Sequence, residues 1–212
     1  MDTVKIPNLA YRIQTDRLVL RCWNPADAQL MKTAVDESLE HLLPWMPWAA
    51  DEPQEIEQKI EILRRFRGEF DLGQNFIYGI FNIDETRVIG GTGLHPRIGE
   101  QALEIGYWIH KDFINQGLAT EASAALTKVA FTLCSVRRVE IHCDPANVRS
   151  ASVPRKLGYT HEATLRKRLS GPEGQLADEM IWSLFADQYP SSPSAAAVIE
   201  VFDAAMRKIT CA

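Results

Sequence analysis

The sequence predicts an α+β fold, in which a largely antiparallel, mixed sheet of seven strands is flanked by about four helices. Three apolar runs follow one another between residues 75 and 110 with only short polar turns between them, which is typical of hairpins. The repeated strand–helix–strand units and the G-x-G-x-x-G turn of a dinucleotide-binding fold do not occur. With 212 residues, 46% hydrophobic and 24% charged, the chain is long enough to bury a core of its own.

The N-terminal segment predicts a strand followed by a helix. Apolar and charged side chains alternate along residues 16–23, as they do in a half-buried strand. Asn24 is a suitable N-cap, with Pro25 at the first helical position, for a helix that runs to about Val35. The stretch 41–53 contains three prolines and two tryptophans, so it separates this helix from the next.

A second helix and three strands follow. The helix is predicted to begin at Pro53, to be capped by Asp51 or Glu52, and to carry one apolar face. The three strands occupy residues 75–82, 87–96 and 101–110.

The second half of the chain alternates helices and strands before a last hairpin. The predicted elements are a helix from near Gly117 to near Leu133, a strand over 137–144, a helix over 149–157 that Gly158 ends, and strands over 159–169 and 176–185 joined by a turn at 170–174. Hairpins therefore dominate the order of elements, which favours an α+β sheet over a doubly wound one.

The domain is predicted to span residues 1–189, and residues 190–212 form a Pro/Ser linker followed by a C-terminal amphipathic helix over 195–209. The helix is inferred from apolar side chains at helical spacing, at Val198, Val201 or Phe202, Ala205 and Ile209. A lone helix of this length is marginal in water and must dock on something. We expect it to cover its own domain or to form a homodimer, and favour the dimer because symmetric dimers are the commonest assemblies.

The composition excludes several classes of function. A net charge of −5 and a pI of about 5.6 argue against a nucleic-acid partner. No apolar run is long enough to span a membrane, and residues 1–10 lack the apolar stretch of a signal peptide. The four cysteines are scattered, which predicts neither a zinc site nor disulfides and makes a reducing cytoplasm the simplest location. His41, His95 and His110 have no carboxylate or cysteine at ligand spacing, so no metal is expected.

The stretch 115–120 places small residues at the start of the long helix. The first backbone amides of a helix have no internal partners and, together with the helix dipole, bind anions such as phosphate. Gly117 and Ala119 would let an anion approach the backbone closely. A tight turn in which Gly117 supplies an unusual backbone angle explains the same residues equally well. The spacing alone leaves both interpretations open.

Two segments in the right order resemble the GNAT superfamily of acyl-coenzyme A N-acyltransferases. Residues 114–119, Ile-Asn-Gln-Gly-Leu-Ala, stand where the superfamily's phosphate loop reads Gln/Arg-x-x-Gly-x-Gly/Ala. Asn147 matches the superfamily's downstream asparagine, and Lys-Leu-Gly-Tyr at 156–159 matches its K-x-G-F/Y.

The resemblance extends to the ribosomal-protein-acetyltransferase branch, the RimJ/RimL type. The T-x-R-L-x-L-R, E-I-G-Y-W and A-T-E-A motifs of this branch begin here at Thr15, Glu104 and Ala119. The similarity covers residues 15–189, and several separated motifs make it specific.

The resemblance implies a GNAT fold whose sheet splays in the middle, and transfer of an acetyl group from acetyl-coenzyme A to a primary amine through a ternary complex. The implied cofactor contacts are Trp108, Ile109, Ile114, Asn115, Gln116, Gly117, Leu118, Ala119, Thr120, Asn147, Ser150 and Lys156. The amide of Ile109 is the implied polariser of the thioester carbonyl. Asn147 is the implied partner of a pantetheine amide, with an Asx turn after Pro145 as the structural alternative.

Two positions depart from the superfamily pattern. Ile114 replaces Gln or Arg, so its side chain cannot hydrogen-bond phosphate and the backbone amides must suffice. Pro154 stands where many members keep a tyrosine that protonates the leaving thiolate. Proline cannot donate a proton, so this role must pass to another group.

Two residues are candidates for proton transfer. Glu104 occupies the strand position from which many superfamily members supply a general base, although a glutamate paired with a cross-strand cation is the structural alternative. Ser150 is where the RimL-like branch has a serine proposed to protonate the thiolate; as a helix N-cap it would have a structural role compatible with this one. Ser152 is a weaker rival.

Trp45 and Trp48 are candidate substrate contacts together with Glu104, because two tryptophans in a proline-stiffened loop can form a wall beside the acceptor. Packing in the core is their alternative. The leading hypothesis for the acceptor is a protein N-terminal α-amine. A small amine, such as a polyamine, amino sugar or amino-acid derivative, and a non-catalytic acyl-coenzyme A sensor remain as alternatives.

Overall fold

The computed structural model describes residues 9–170 and 175–211, which form one ten-stranded sheet and four α-helices. The strands are β1 (Arg12–Gln14), β2 (Leu18–Cys22), β3 (Phe76–Asn82), β4 (Val88–His95), β5 (Ala102–Ile109), β6 (Arg138–Cys143), β7 (Thr160–Ser170), β8 (Leu176–Phe185), β9 (Glu200–Phe202) and β10 (Lys208–Ile209). The helices are α1 (Ala28–Leu42), α2 (Ile56–Asp71), α3 (Leu118–Thr132) and α4 (Val148–Lys156).

The sheet runs in the order β10-β9-β1-β2-β3-β4-β5-β6-β8-β7. β5 and β6 pair in parallel, and the other neighbouring strands pair antiparallel. The predicted class, a mixed and largely antiparallel sheet with four helices, is confirmed. The described residues contain ten strands rather than seven, because β1, β9 and β10 add three short strands at one end of the sheet.

β5 and β6 separate in the middle of the sheet. They pair only where residues 102–104 lie beside residues 138–140. Beyond this point β5 continues alongside β4 as far as Ile109, and β6 continues alongside β8 as far as Cys143. The carboxyl-terminal half of β5 therefore has β4 on one side and an opening on the other.

Alternation along β5 sends neighbouring side chains to opposite faces of the sheet. Ile105, Tyr107 and Ile109 pack in the apolar cluster that contains α3 and α4. Trp108 packs against the cluster that contains α1 and α2. The opening beside β5 is thus bordered by one pair of helices on each face.

The first two helices begin differently from one another. Asn24 caps the chain as predicted, through a short 3-10 turn (Pro25–Asp27), and α1 runs on to Leu42 rather than stopping near Val35. The predicted start of the second helix at Pro53 is wrong, because α2 begins at Ile56 with Glu55 as its N-cap. Glu52 instead forms an ion pair with the fully buried Lys59, so its carboxylate is not a helix cap.

The third and fourth helices lie where they are predicted. α3 ends at Thr132, and α4 is followed by Gly158 at a φ of 79°, the left-handed stop expected from the sequence. The predicted turn at 170–174 lies largely outside the described residues. In the part of the chain that the structure describes, no helix is long and apolar enough to cross a membrane.

The predicted C-terminal amphipathic helix is wrong. The tail forms 3-10 turns at Tyr189–Ser191 and Pro193–Ala196 and then the strands β9 and β10. β9 pairs with β1, and Val201, opposite Ile13, is 1% exposed whereas Val198 is 77% exposed. A short apolar segment is compatible with either a helix or a strand. Here the pairing with β1 makes it a strand.

The tail docks on its own chain. The Lys128 ammonium donates to the carbonyls of Ala195 (3.2 Å) and Ala197 (2.8 Å), and the rings of Phe131 and Tyr189 stack at 4.8 Å. Val201 belongs to the main apolar cluster. Val201, one of the apolar residues that favoured a homodimer, is thus used within the chain, and the homodimer stays a prediction.

We expect Val201→Ala to lower the free energy of unfolding by about 2 kcal/mol, because it removes buried methyl groups from the main cluster. Val198→Ala is the matched control and should change stability by less than about 0.5 kcal/mol, because its side chain is exposed. Chemical denaturation of both variants measures the difference. Equal effects would contradict the strand assignment and favour a helix that buries both residues.

Candidate active site

A cleft of about 490 Å³ lies where β5 and β6 separate, and it gathers most of the predicted site. The predicted residues that line it are Trp45, Trp108, Ile109, Ile114, Asn115, Gly117, Leu118, Ala119, Thr120, Asn147, Ser150 and Lys156. Gln116, Trp48 and Glu104 do not line it. A second hollow of about 550 Å³ lies beside the tail, lined by residues such as Tyr11, Leu133 and Arg207, and contains none of the predicted site residues.

Several residues of the cleft were not predicted. They are His41, Leu42, Met46, Tyr107, Phe113, Ala146, Val148, Arg149 and Val153. Most are neighbours in sequence of predicted residues, so the motifs located the right segments without specifying which side chains face the opening.

The loop before α3 has the geometry of an anion cradle. Asn115 and Gly117 have φ angles of 60° and 79°, and the amide of Glu121 donates to the Gly117 carbonyl at 3.0 Å, closing the first helical turn. The amides of residues 118–120 precede that bond, so they have no acceptor within the helix. A Cβ at residue 117 would have its nearest contact, the Arg17 guanidinium, at 3.7 Å, so the backbone angle rather than crowding requires glycine.

Arg17, in the turn between β1 and β2, fixes this loop through contacts that were not predicted. Its Nη1 donates to the Gln116 carbonyl at 3.0 Å, and its Nε donates to Glu121 Oε2 at 2.7 Å. Thr15 Oγ1 donates to the other Glu121 oxygen at 2.5 Å. Glu121 would repel a phosphate at the start of α3, and Arg17 neutralises that charge while holding the loop.

His110 fixes the same loop to α1. It is 1% exposed, its Nε2 lies 2.9 Å from Glu37 Oε2, and its Nδ1 accepts from the amide of Asp112 at 3.2 Å. The Lys111 amide also donates to Ser38 Oγ at 3.1 Å. Glu37, His110 and Asp112 lie close enough to hold a metal ion, although no carboxylate or cysteine was expected at ligand spacing from His110. The contacts of the two ring nitrogens join α1 to the loop.

The start of α4 brings Ser150 and Tyr107 together. The Ser150 amide donates to Asn147 Oδ1 at 3.0 Å, so Asn147 is the N-cap and the expectation that Ser150 caps the helix is wrong. The Tyr107 hydroxyl lies 3.1 Å from Ser150 Oγ and donates to the Ser150 carbonyl at 3.0 Å. That carbonyl is available because Pro154, four residues later, has no N–H to donate. Burial raises the pKa of Tyr107, so its hydroxyl stays protonated.

Ser152, the rival proton donor, is differently placed. Its hydroxyl donates to the Arg149 carbonyl at 2.7 Å within the helix, although the residue lines the cleft.

Glu104 lies on the opposite face of β5 from Tyr107 and is 6% exposed. Arg97 binds its carboxylate through two nitrogens, with Nε 2.7 Å from Oε2 and Nη2 2.5 Å from Oε1. Burial favours the neutral carboxyl, but the hydrogen bonds and charge of Arg97 outweigh burial and lower the pKa of Glu104. In this pair Glu104 is an anion with little tendency to take up a proton.

The two candidate tryptophans of the substrate wall occupy different positions. Trp45 lines the cleft directly. Trp48 is 37% exposed and packs edge-on against Trp108, with ring centroids 6.0 Å apart. Trp45 and Trp108 therefore line the cleft, whereas Trp48 only packs against Trp108.

Comparison with known proteins gives consistent results. Residues 17–160 match the family described as Acetyltransferase (GNAT) domain. The [ribosomal protein uS5]-alanine N-acetyltransferase of Escherichia coli (strain K12) is 27% identical over 179 residues, covering 82% of this chain and 90% of the relative.

Solved structures share the fold at lower identity. RimL, a ribosomal L7/L12 α-N-protein acetyltransferase solved with coenzyme A, has a TM-score of 0.74 and 20% identity, covering 82% of this chain and 97% of that one. The microcin C7 self-immunity acetyltransferase MccE, solved with acetyl-CoA and AMP, also has a TM-score of 0.74 and 20% identity, covering 81% and 93%.

Gly117→Glu should abolish acetyl-coenzyme A binding, because it puts a carboxylate where the backbone amides would receive phosphate. Gly99→Glu is the matched control, since Gly99 also has a positive φ (107°) and open space around it, so both variants carry similar backbone strain. Isothermal titration calorimetry on both folded variants tests this. Unchanged affinity in Gly117→Glu would show that the loop is only a turn.

Proposed function

The chain belongs to the GNAT family of N-acetyltransferases, and from this premise we propose that it transfers an acetyl group from acetyl-coenzyme A to the α-amine of a protein N-terminus. The observation that supports this most directly is the cleft at the β5–β6 separation, which has the amide cradle of α3 at its edge and continues to the α1–α2 side of the sheet. The uS5-alanine N-acetyltransferase relative supports the class of acceptor.

In the proposed complex, acetyl-coenzyme A is held more by backbone groups than by side chains. The amides of residues 118–120 and the positive end of α3 would bind the pyrophosphate. The apolar side chain of Ile114 cannot hydrogen-bond to it. The Nδ2 group of Asn147 is the candidate donor to the pantetheine arm, since its Oδ1 already caps α4. Ile109 ends β5 where β6 no longer pairs with it, so its amide is the candidate polariser of the thioester carbonyl.

The proposed reaction is a direct transfer. The acceptor must reach the thioester as a neutral amine, so its ammonium first loses a proton, to Glu104 directly or through water. The amine nitrogen then forms a bond to the carbonyl carbon, the carbon–sulfur bond breaks, and the sulfur leaves as a thiolate. The nitrogen loses its second proton and the thiolate gains one, which gives the N-acetyl product, coenzyme A and one proton released to solvent.

Ser150 is the proposed proton donor to the thiolate, and Tyr107 is its partner. The hydroxyl of Tyr107, fixed on the Ser150 carbonyl, orients Ser150 Oγ from 3.1 Å. This pair would take over the role of the tyrosine that the superfamily keeps at the position of Pro154.

Glu104→Gln should reduce the acetylation rate by roughly 10²–10⁴-fold, most strongly below the pKa of the acceptor amine, while acetyl-coenzyme A affinity is kept. Glu61→Gln is the matched control, because Glu61 also pairs with an arginine through two bonds but lies exposed on α2. The assay measures thiol release with peptides bearing free N-termini, the same peptides with blocked N-termini, and small amines.

Two results of that assay would contradict the proposal. Turnover of small amines without turnover of free N-termini would reassign the acceptor, and no turnover with any amine would favour an acyl-coenzyme A sensor. Full activity of Glu104→Gln at every pH would make the glutamate structural.

Ser150→Ala should slow transfer by less than the ~10²-fold typical of a general acid, because water can replace the hydroxyl. Tyr107→Phe should cause a similar loss, and the double variant should be little slower than either, since the two hydroxyls act as one unit. Tyr159→Phe is the control, because it removes another buried hydroxyl, bonded to Thr127 Oγ1 at 2.7 Å, away from the cleft. Independent, multiplicative losses would disprove the shared role.

A further inference from the structure

An exposed arginine side chain covers the buried carboxylate of Glu104. Arg97 lies in the segment between β4 and β5, and its side chain is 63% exposed, against 8% for that of Glu104. Its guanidinium nevertheless reaches in and contacts both carboxylate oxygens. An exposed arginine anchored only at its end has the freedom to leave without disturbing the core.

The other charged groups around Glu104 are held by partners of their own. His142 on β6 lies 2.6 Å from Glu140 Oε2 and 3.2 Å from Glu179 Oε1, so each ring nitrogen has a carboxylate. Although burial opposes it, the hydrogen bond to Glu140 and the surrounding carboxylates raise the pKa of His142. Glu140, directly opposite Glu104 in the sheet, also pairs with Arg138 at 2.6 Å.

His95 is the remaining titratable group and is neutral. It stands opposite Glu104 on β4, and its Nδ1 is 2.8 Å from Asn75 Oδ1. Burial, and then the charge of Arg97, lower the pKa of His95 to about 4. Among the described residues, Arg97 is therefore the cation that directly contacts Glu104 and has no other ion-pair partner.

We propose that Arg97 is a positioning residue that occupies the Glu104 carboxylate until the ammonium group of the acceptor displaces it. The inference rests on the proposed function of Glu104 as the group that receives the acceptor's proton. An ammonium carries the same charge as the guanidinium and donates hydrogen bonds to the same two oxygens, so the exchange leaves Glu104 ionised and paired. The site thereby selects acceptors that arrive as protonated primary amines.

The exchange also prepares Glu104 for proton transfer. With Arg97 in place, the guanidinium holds the carboxylate in its charged form. Once the acceptor replaces Arg97 and gives up its proton, no cation remains in contact and burial favours the neutral carboxyl. The same residue thus binds the acceptor as an anion and accepts its proton afterwards.

The test compares Arg97→Gln, Arg97→Lys and the control Arg64→Gln, using whichever primary amine of the panel the wild type acetylates. Arg97→Gln removes the competing guanidinium and should lower the KM for the acceptor by about fivefold, the factor that corresponds to the free energy of a partly exposed ion pair. The KM for acetyl-coenzyme A should not change. Arg97→Lys keeps a cation with one contact and should fall between wild type and Arg97→Gln. Arg64 makes the same two-bond contact with Glu61 on exposed α2, so Arg64→Gln should behave as wild type.

The pH dependence gives a second readout that a merely structural role would not change. Without Arg97 the carboxylate binds its proton more tightly, so the acid limb of kcat/KM should move to higher pH in Arg97→Gln. An unchanged or raised KM for the acceptor, or an unmoved acid limb, would overturn the inference even if Glu104→Gln remains inactive. Full activity of Glu104→Gln would instead contradict the proposed function, and the two failures are therefore distinguishable.

Discussion

The parting of β5 from β6 is the constraint on which the rest of the structure depends. Pairing ends at Glu104 and Glu140, and beyond it the backbone of β5 has a partner on one side only. Unpaired backbone groups inside a protein are costly unless something satisfies them. The first turns of α3 and α4 both line the opening, and the amides of residues 118–120 in α3 have no acceptor within their helix. The proposed acetyl-coenzyme A, with amides along its pantetheine arm and phosphates at its end, would satisfy such backbone groups.

The alternation of β5 divides the chemistry between the two faces of the sheet. Tyr107 points to the side of α4 and meets Ser150, whereas Glu104 points to the other side and meets Arg97. In the proposed mechanism, proton removal from the acceptor and proton delivery to the leaving thiolate would take place on opposite faces of one strand. An acetyl group bound at the edge of β5 would then lie between the groups on the two faces of the strand.

Local sequence signals, such as a glycine at the end of a helix, predicted the elements correctly where they occur. The prediction failed where pairing with a strand far away in the sequence determines the structure. Gly117 marks the start of α3 and Gly158 the end of α4, because a positive φ is a local requirement that few residues meet. The tail was mistaken for a helix because Val198 and Val201 fit a helical spacing, and only pairing with the three-residue β1 makes a strand of it. The residues of the site were likewise predicted where the signal is local and missed where it is not. The cradle was found from adjacent residues, whereas contacts such as that of Arg17 with Glu121 join residues far apart in sequence.

The contacts around Pro154 explain how Tyr107 and Ser150 are brought together. A proline inside α4 removes a helical hydrogen bond, and it stands where many members of the superfamily keep a tyrosine. The deletion leaves the Ser150 carbonyl without a helical donor, and the hydroxyl of Tyr107 fills that vacancy from β5. The same contact brings a phenol to within 3.1 Å of Ser150 Oγ. In the proposed mechanism the Tyr107–Ser150 pair would act in place of that tyrosine, held by the carbonyl that the proline leaves without a helical donor.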